Sequence, residues 1–161
     1  MDNRKISRLR RWAREGIILV LLTLAVVWGV DQYRKPTLPA SFSATPMQSI
    51  DGNIHDIAAL SQDRPLLIYV WATWCSICRY TTPAVNQLAE EGGNVVSIAM
   101  RSGDNAKLER WVDKKQLKMP VINDANGALS QQWQVSVTPT LVVVSKGQVV
   151  TTTSGWTSYW G

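Results

Sequence analysis

Two cysteines stand three residues apart in Trp74-Cys75-Ser76-Ile77-Cys78, just after an apolar run that ends at Trp71. A short turn with a helix opening at Cys75 would set that thiol against unsatisfied backbone N–H groups and the positive end of the helix dipole. Both favour the thiolate, the nucleophilic form of cysteine. Cys78 would follow one helical turn later on the same face, within disulfide reach. Such a pair can attack a disulfide in another molecule and then release it internally, with no metal or organic cofactor. Other chemistries use the same residues. A zinc site needs four ligands, but there is no second Cys pair and His55 is the single histidine. A structural disulfide closing so small a ring constrains little of the unfolded chain. Soft thiolates also hold Cu(I), so a copper-sequestering module is the alternative to an exchange enzyme.

Further residues belong to this neighbourhood. Pro83 falls five residues after Cys78, inside the expected helix, where it removes one backbone hydrogen bond. Pro139, in Ser136-Val137-Thr138-Pro139-Thr140, precedes an apolar run and reads as a strand-start or edge proline. Trp74 suits an apolar rim beside Cys75, whereas Trp71 suits packing beneath it. Trp111 and Trp133 fall on amphipathic patterns and read as core or half-buried. Arg79 reads as a solvated helix charge, and His55 as a surface residue at a hairpin end.

The elements that must position these residues follow from pattern. Phe42 to Leu60 predicts a β-hairpin turning at Asp51-Gly52, then a short helical turn over residues 57–60. Leu66 to Trp71 and Val95 to Met100 are short apolar runs, the pattern of strands buried on both faces. Helices are predicted from Cys75 to Glu91, ending at Gly92-Gly93, and from an Asp104 cap to about Gln116. A short strand over Met119 to Ile122 and a helix from Asn126 to Trp133 come next. A strand over Val137 to Val144 then turns at Lys146-Gly147 and returns over Val149 to Thr153. The alternation predicts an α/β domain with a mixed sheet, parallel across helices and antiparallel in the last hairpin.

Hydrophobic residues make up 45% and charged residues 18% of the 161, which excludes a disordered chain. The net charge of +5 is unevenly placed. Residues 1–35 carry eight Lys/Arg against three Asp/Glu, and residues 36–161 carry nine of each. A neutral main domain offers no electrostatic footprint for nucleic acid. Gly16 to Val30 is fifteen residues without a charge, behind Arg4, Lys5, Arg8, Arg10, Arg11 and Arg14. Fifteen helical residues reach only ~22 Å. Trp12 to Tyr33 reaches ~33 Å, enough for the ~30 Å hydrocarbon core. Arg14 and Arg34 can snorkel, and Trp12, Trp28 and Tyr33 suit the interfaces. No small-x-small cleavage site follows. The expectation is a single-pass anchor in a bacterial inner membrane, inserted through residues 16–30, with its N-terminus cytoplasmic and its main domain in the periplasm. The domains are then 1–35 basic segment and anchor, 36–41 linker, and 42–161 periplasmic domain.

The stretch Trp71-Ala72-Thr73-Trp74-Cys75-Ser76-Ile77-Cys78, Pro83, and Thr138-Pro139-Thr140 before a valine run resemble the thioredoxin superfamily. The resemblance covers Phe42 to Gly155. The N-terminal hairpin and the helix–strand insert at 104–123 are similar to the TlpA-like branch of membrane-anchored periplasmic thiol–disulfide oxidoreductases. Leu38-Pro39-Ala40 and Val70 to Cys75 resemble, within it, the suppressor-of-copper-sensitivity D group, which implies a role in copper tolerance. The resemblance implies a thioredoxin-like fold after one transmembrane helix, with Cys75 as nucleophile and Cys78 as resolving thiol. It implies a cis Thr138-Pro139 bond facing the pair, with Trp74, Thr138 and Pro139 touching the protein substrate and Ser76, Ile77 and Pro83 supporting the site. It further implies protein disulfide substrates, and a membrane electron-transfer protein that supplies reductant. Thioredoxin itself has a buried Asp six residues before its first active-site Cys, where this chain has Tyr69. It has Gly-Pro where this chain has Ser76-Ile77. Only Thr157 to Gly161 remain for the fold's last helix.

The charge asymmetry makes topology measurable. A protease added outside intact spheroplasts should digest the domain after residue 35, and the domain should stay membrane-bound until then. Full protection, or release as a soluble protein with a new N-terminus, contradicts the anchor.

Overall fold

The computed structural model describes residues 3–34, 38–39 and 41–155. The chain divides into two compact units, Met1–Lys35 and Pro36–Gly161. The first holds one helix, α1 (Asn3–Arg34). Its Arg10–Val30 stretch is long and apolar enough to cross a membrane, and none of it is buried in protein. A helix apolar all round has no polar face to offer water. Its Thr23 hydroxyl is satisfied locally, donating to Leu19 O at 2.8 Å.

The second unit opens with a small antiparallel hairpin, β1 (Met47–Gln48) and β2 (Ile54–His55). Gly52 takes a φ of +87°, open to glycine without strain, and so allows the tight Asp51-Gly52 turn. The Ser49 hydroxyl and the Asn53 amide hold the Asp51 carboxyl below its usual range. α2 (Ile57–Leu60) is capped by Asp56, which accepts the Ala59 N–H at 3.0 Å. The strands are shorter than the predicted hairpin because residues 41–45 form turns. Phe42 is committed to the core instead, edge-on to Trp133 at 5.8 Å. Leu38, placed by sequence in a linker, packs against the same core.

Five strands form the main sheet: β3 (Leu66–Trp71), β4 (Val95–Met100), β5 (Val121–Asp124), β6 (Thr140–Ser145) and β7 (Gln148–Ser154). Their order is β5-β4-β3-β6-β7. β3, β4 and β5 pair in parallel; β6 and β7 join antiparallel. Helices α3 (Cys78–Glu90), α4 (Asn105–Lys115) and α5 (Ala128–Gln132) connect them.

Side-chain alternation gives each face of this sheet its own core. Leu66, Ile68 and Val70 join Val96, Ile98, Val142 and Val144 on one face, with Ile57 and Trp133. Tyr69 and Trp71 join Ala99 on the other, with Cys78, Val85, Leu108 and Leu117 from the α3–α4 side. Each buried Val, Leu or Ile side chain contributes roughly 1.5–3 kcal/mol, so both faces favour this register. The α4 cap stands where the sequence places it: the Asp104 carboxylate accepts the Lys107 N–H at 2.8 Å.

Three boundaries differ from expectation. β5 begins at Val121 rather than Met119 because Pro120 has no N–H. Its carbonyl accepts both the N–H and the hydroxyl of Ser97, each at 2.9 Å. β6 begins at Thr140 rather than Val137 because Pro139 has no N–H to donate to a ladder. α5 is shorter than residues 126–133 because Asn126 and the buried Asp124 cap its first turn: Asn126 Oδ1 accepts the Ala128 N–H at 3.1 Å. The Asp124 carboxylate accepts the N–H groups of Leu129 and Ser130 and the Ser130 hydroxyl, at 3.1, 2.9 and 2.6 Å. Trp156, Trp160 and the remnant helix at 157–161 lie outside the described residues, as does Ala40.

Asp124→Ala leaves two buried donors and one part-buried donor without an acceptor. It should lower unfolding stability by about 3 kcal/mol, given ~1–3 kcal/mol for each stranded group with partial relaxation. Chemical denaturation of the full chain in detergent measures this; a change under 1 kcal/mol contradicts the role.

Candidate active site

β3 ends at Trp71, and residues 72–77 turn the chain into α3. The turn is closed by the Cys75 N–H donating to Ala72 O at 3.2 Å. Cys75 and Cys78 form a disulfide with Cα atoms 5.3 Å apart. The predicted helix start at Cys75 is corrected by three residues: α3 begins at Cys78. Cys75 lies in the preceding turn, its N–H bonded back to Ala72 O, three residues ahead of the first helical N–H. The electrostatic consequence survives the correction. The Cys78 N–H donates to Cys75 Sγ at 3.1 Å, as a first-turn N–H donates to a capping side chain. In the reduced protein this donor and the helix dipole favour Cys75 as thiolate. Cys75 is partly exposed, whereas Cys78 is 2% exposed.

The second wall comes from far along the chain. Thr138 O lies 3.5 Å from Cys75 Sγ, and the Thr138-Pro139 bond is cis. Pro139 O accepts the Gly155 N–H at 2.8 Å, which ties the loop to the end of β7. Sequence expectation and structure agree in bringing Cys75, Cys78, Thr138 and Pro139 together.

The rest of the site comes from β4, which the sequence reading did not assign to it. The buried Ser102 donates to Met100 O at 3.0 Å and accepts the Thr73 N–H at 2.9 Å. Trp74 Nε1 donates to Arg101 O at 3.1 Å, with Arg101 at the positive φ of 46°. These two contacts hold the loop that carries Cys75. The available signal was positional: ligands gather at the carboxyl ends of strands in α/β sheets, and Arg101-Ser102 follows such an end. Trp74 is 62% exposed and lines the cavity with Cys75; Ile77 and Tyr80 are exposed as well. Ser76 and Arg79 are exposed, and Pro83 stands inside α3 on its outer side.

A cavity of about 750 Å³ opens beside the pair and follows α3 past Thr82, Asn86 and Glu90 toward Trp111 and Lys115. The Lys115 ammonium lies 5.4 Å from the Trp111 ring centroid. Trp71 lines the cavity, and its buried Nε1 has no partner among the described residues. Tyr69, fully buried beneath the site, has its hydroxyl 2.9 Å from Thr82 Oγ1. Burial pushes that phenol up to about 12, so it stays neutral at physiological pH. Among the described residues no group of three or more His, Cys, Asp or Glu gathers as a metal site. His55 is on β2 with its Nε2 2.9 Å from the Ser49 hydroxyl.

Comparison with known proteins agrees with this geometry. The AhpC/TSA family matches residues 38–153. A thioredoxin-like protein of Haemophilus influenzae is 38% identical over 154 residues, 96% of this chain and 92% of that one. The thiol:disulfide interchange protein DsbE of Escherichia coli K12 is 25% identical, covering 83% of this chain and 78% of its own. Among solved structures, a secreted Mycobacterium tuberculosis disulfide oxidoreductase homologous to E. coli DsbE superposes with a TM-score of 0.61. It is 26% identical, over 73% of this chain and 88% of that one.

The two thiols of the reduced chain should differ in reactivity. Below neutral pH, Cys75 should alkylate with iodoacetamide roughly tenfold or more faster than Cys78, from its lower pKa and greater exposure. Rates for single-cysteine variants across pH 5 to 9 measure this. Equal rates overturn the asymmetry.

Proposed function

The chain belongs to the AhpC/TSA family and is a thioredoxin-like thiol–disulfide oxidoreductase; from that premise we propose that it is a membrane-anchored reductant of protein disulfides facing the periplasm. The observation that carries this is the asymmetry of the pair. Cys75 is reachable and receives the Cys78 N–H, while Cys78 is buried behind it. Cys75 attacks a substrate disulfide as thiolate and forms a mixed disulfide. Cys78 then attacks Cys75, releasing the substrate as a dithiol and leaving the Cys75–Cys78 disulfide. Two electrons from a membrane electron-transfer protein restore the dithiol. An extended substrate segment pairs with the Thr138 backbone beside Pro139, in the manner of an added strand. The exposed Trp74, lining the cavity with Cys75, supplies an apolar rim for the substrate.

The apolar Arg10–Val30 stretch behind a basic segment supports anchoring with the catalytic domain outside. A secreted mycobacterial oxidoreductase of the same fold is consistent with export. The direction of electron flow and the role in copper tolerance rest on the resemblance carried by residues 38–40 and 70–75.

Trapping tests the reading. In cells, the full-length Cys78→Ser protein should accumulate covalent complexes on non-reducing gels that disappear with reductant, and Cys75→Ser should trap far fewer. A membrane electron-transfer protein among the trapped species supports the reductant direction; newly secreted proteins alone favour an oxidant. A Cu(I) chelator predicts instead that both single variants lose copper binding equally and trap nothing. Wild-type cells should outgrow a Cys75→Ser strain at raised copper.

A further inference from the structure

Tyr69 is a fully buried titratable group that exchange at the cysteine pair, as described, does not use. It stands on β3, and its hydroxyl lies 2.9 Å from that of Thr82. Thr82 follows Cys78 by four residues on α3, so the two project from one helix face. Tyr69 and Cys78 belong to one apolar cluster. Thr82, Cys75 and Cys78 all line the same cavity. A pair of hydroxyls has two hydrogens, and only one lies between the oxygens. With Tyr69 donating, the Thr82 hydrogen is left for a second acceptor. Cys78, one turn earlier on this face, brings a sulfur that must carry negative charge when it attacks.

The carboxylates of the cavity lie elsewhere. Glu90 and Glu91 line it about three turns further along α3. They are engaged by Asn86 at 3.1 Å and Gln87 at 2.8 Å. Arg79 on the exposed side of α3 and Lys115 from α4 complete the set, and Tyr69 is the titratable group from β3. Apart from the exposed Arg79, which adjoins Cys78 in the chain, the polar groups on the wall beside Cys78 are neutral. Because its phenol titrates only near 12, Tyr69 remains a donor throughout the range in which a thiol ionises.

Resting on the exchange reading above, we propose that the Thr82 hydroxyl, oriented by Tyr69, donates a hydrogen bond to the Cys78 thiolate and so promotes the resolving step. Thr82 would meet the Cys78 sulfur once the disulfide is opened and that sulfur is charged; Tyr69 is a positioning residue acting through it. In that step Cys78 loses its proton to water at the cavity mouth and its sulfur attacks Cys75 Sγ. The bond between Cys75 and the substrate sulfur breaks, and the substrate sulfur leaves with the electron pair and takes up a proton. The cysteine pair is oxidised by two electrons and the substrate disulfide is reduced. A hydrogen bond to the charged form lowers a pKa and is stronger than one between neutral groups.

The reduced full chain in detergent, mixed with less than one equivalent of dithiobis-nitrobenzoate, separates the two steps. Attack by Cys75 releases one coloured thiolate and resolution by Cys78 a second. Thr82→Val should slow the second phase about tenfold at neutral pH and raise its pH midpoint by about one unit. Thr82→Ser, which keeps the hydroxyl, should restore both. Tyr69→Phe should raise the midpoint by less, and the first phase should be unchanged in all three variants. A second-phase midpoint unmoved in Thr82→Val, or a Thr82→Ser protein that behaves like the valine variant, overturns the proposal. A first phase that survives Cys75→Ser, or a wild type with no second phase, overturns the exchange reading beneath it.

Discussion

The Cys78 N–H directed at Cys75 Sγ, 3.1 Å away, is the contact that the rest of the domain serves. It exists only while α3 starts at Cys78 and the preceding turn holds Cys75 at its mouth. The helix start depends on α3 packing through Cys78 and Val85 onto the β3–β4 face. The turn depends on Ser102 and Arg101, which grip Thr73 and Trp74 from the end of β4. The backbone donor costs nothing in reorganisation when the sulfur becomes charged, because the sheet has already set its direction.

That arrangement also explains why the site draws on distant parts of the chain. β3 is central, so the end of β4 and the start of β6 flank its own end. β4 contributes the Ser102 brace, and the loop before β6 contributes the Thr138 carbonyl. The cis Thr138-Pro139 bond lies where the strand has not yet begun, so its missing N–H costs the ladder nothing. Asp124 does comparable work at the edge of the sheet, replacing the missing partners of α5 with a buried carboxylate.

The wall below the pair is assembled differently. It is apolar and hydroxylic, with Tyr69, Thr82 and Trp71 where a charged group would have to be desolvated. A buried phenol is cheaper to hold neutral than a carboxylate, because burial raises its pKa further from working pH rather than toward it. The chain thus keeps its carboxylates at the far end of α3.

The sequence by itself determined the strands over 66–71 and 95–100, the Asp104 cap, the Asp51-Gly52 turn and the cysteine pair. Each is written in adjacent residues, through apolar runs, capping chemistry or spacing. The thioredoxin-like fold and the pairing of Cys75-x-x-Cys78 with Thr138-Pro139 were legible because those motifs resemble a known family. Only the tertiary structure decided that α3 starts at Cys78, that Ser102 braces Thr73 across 29 residues, and that Tyr69 meets Thr82. It also decided that the buried Asp124 carboxylate accepts first-turn N–H groups of α5. The physical reason is common to all four. A local pattern says which face of an element is buried, but which groups meet across that face depends on strand register and helix placement, and these are settled by packing the whole core at once.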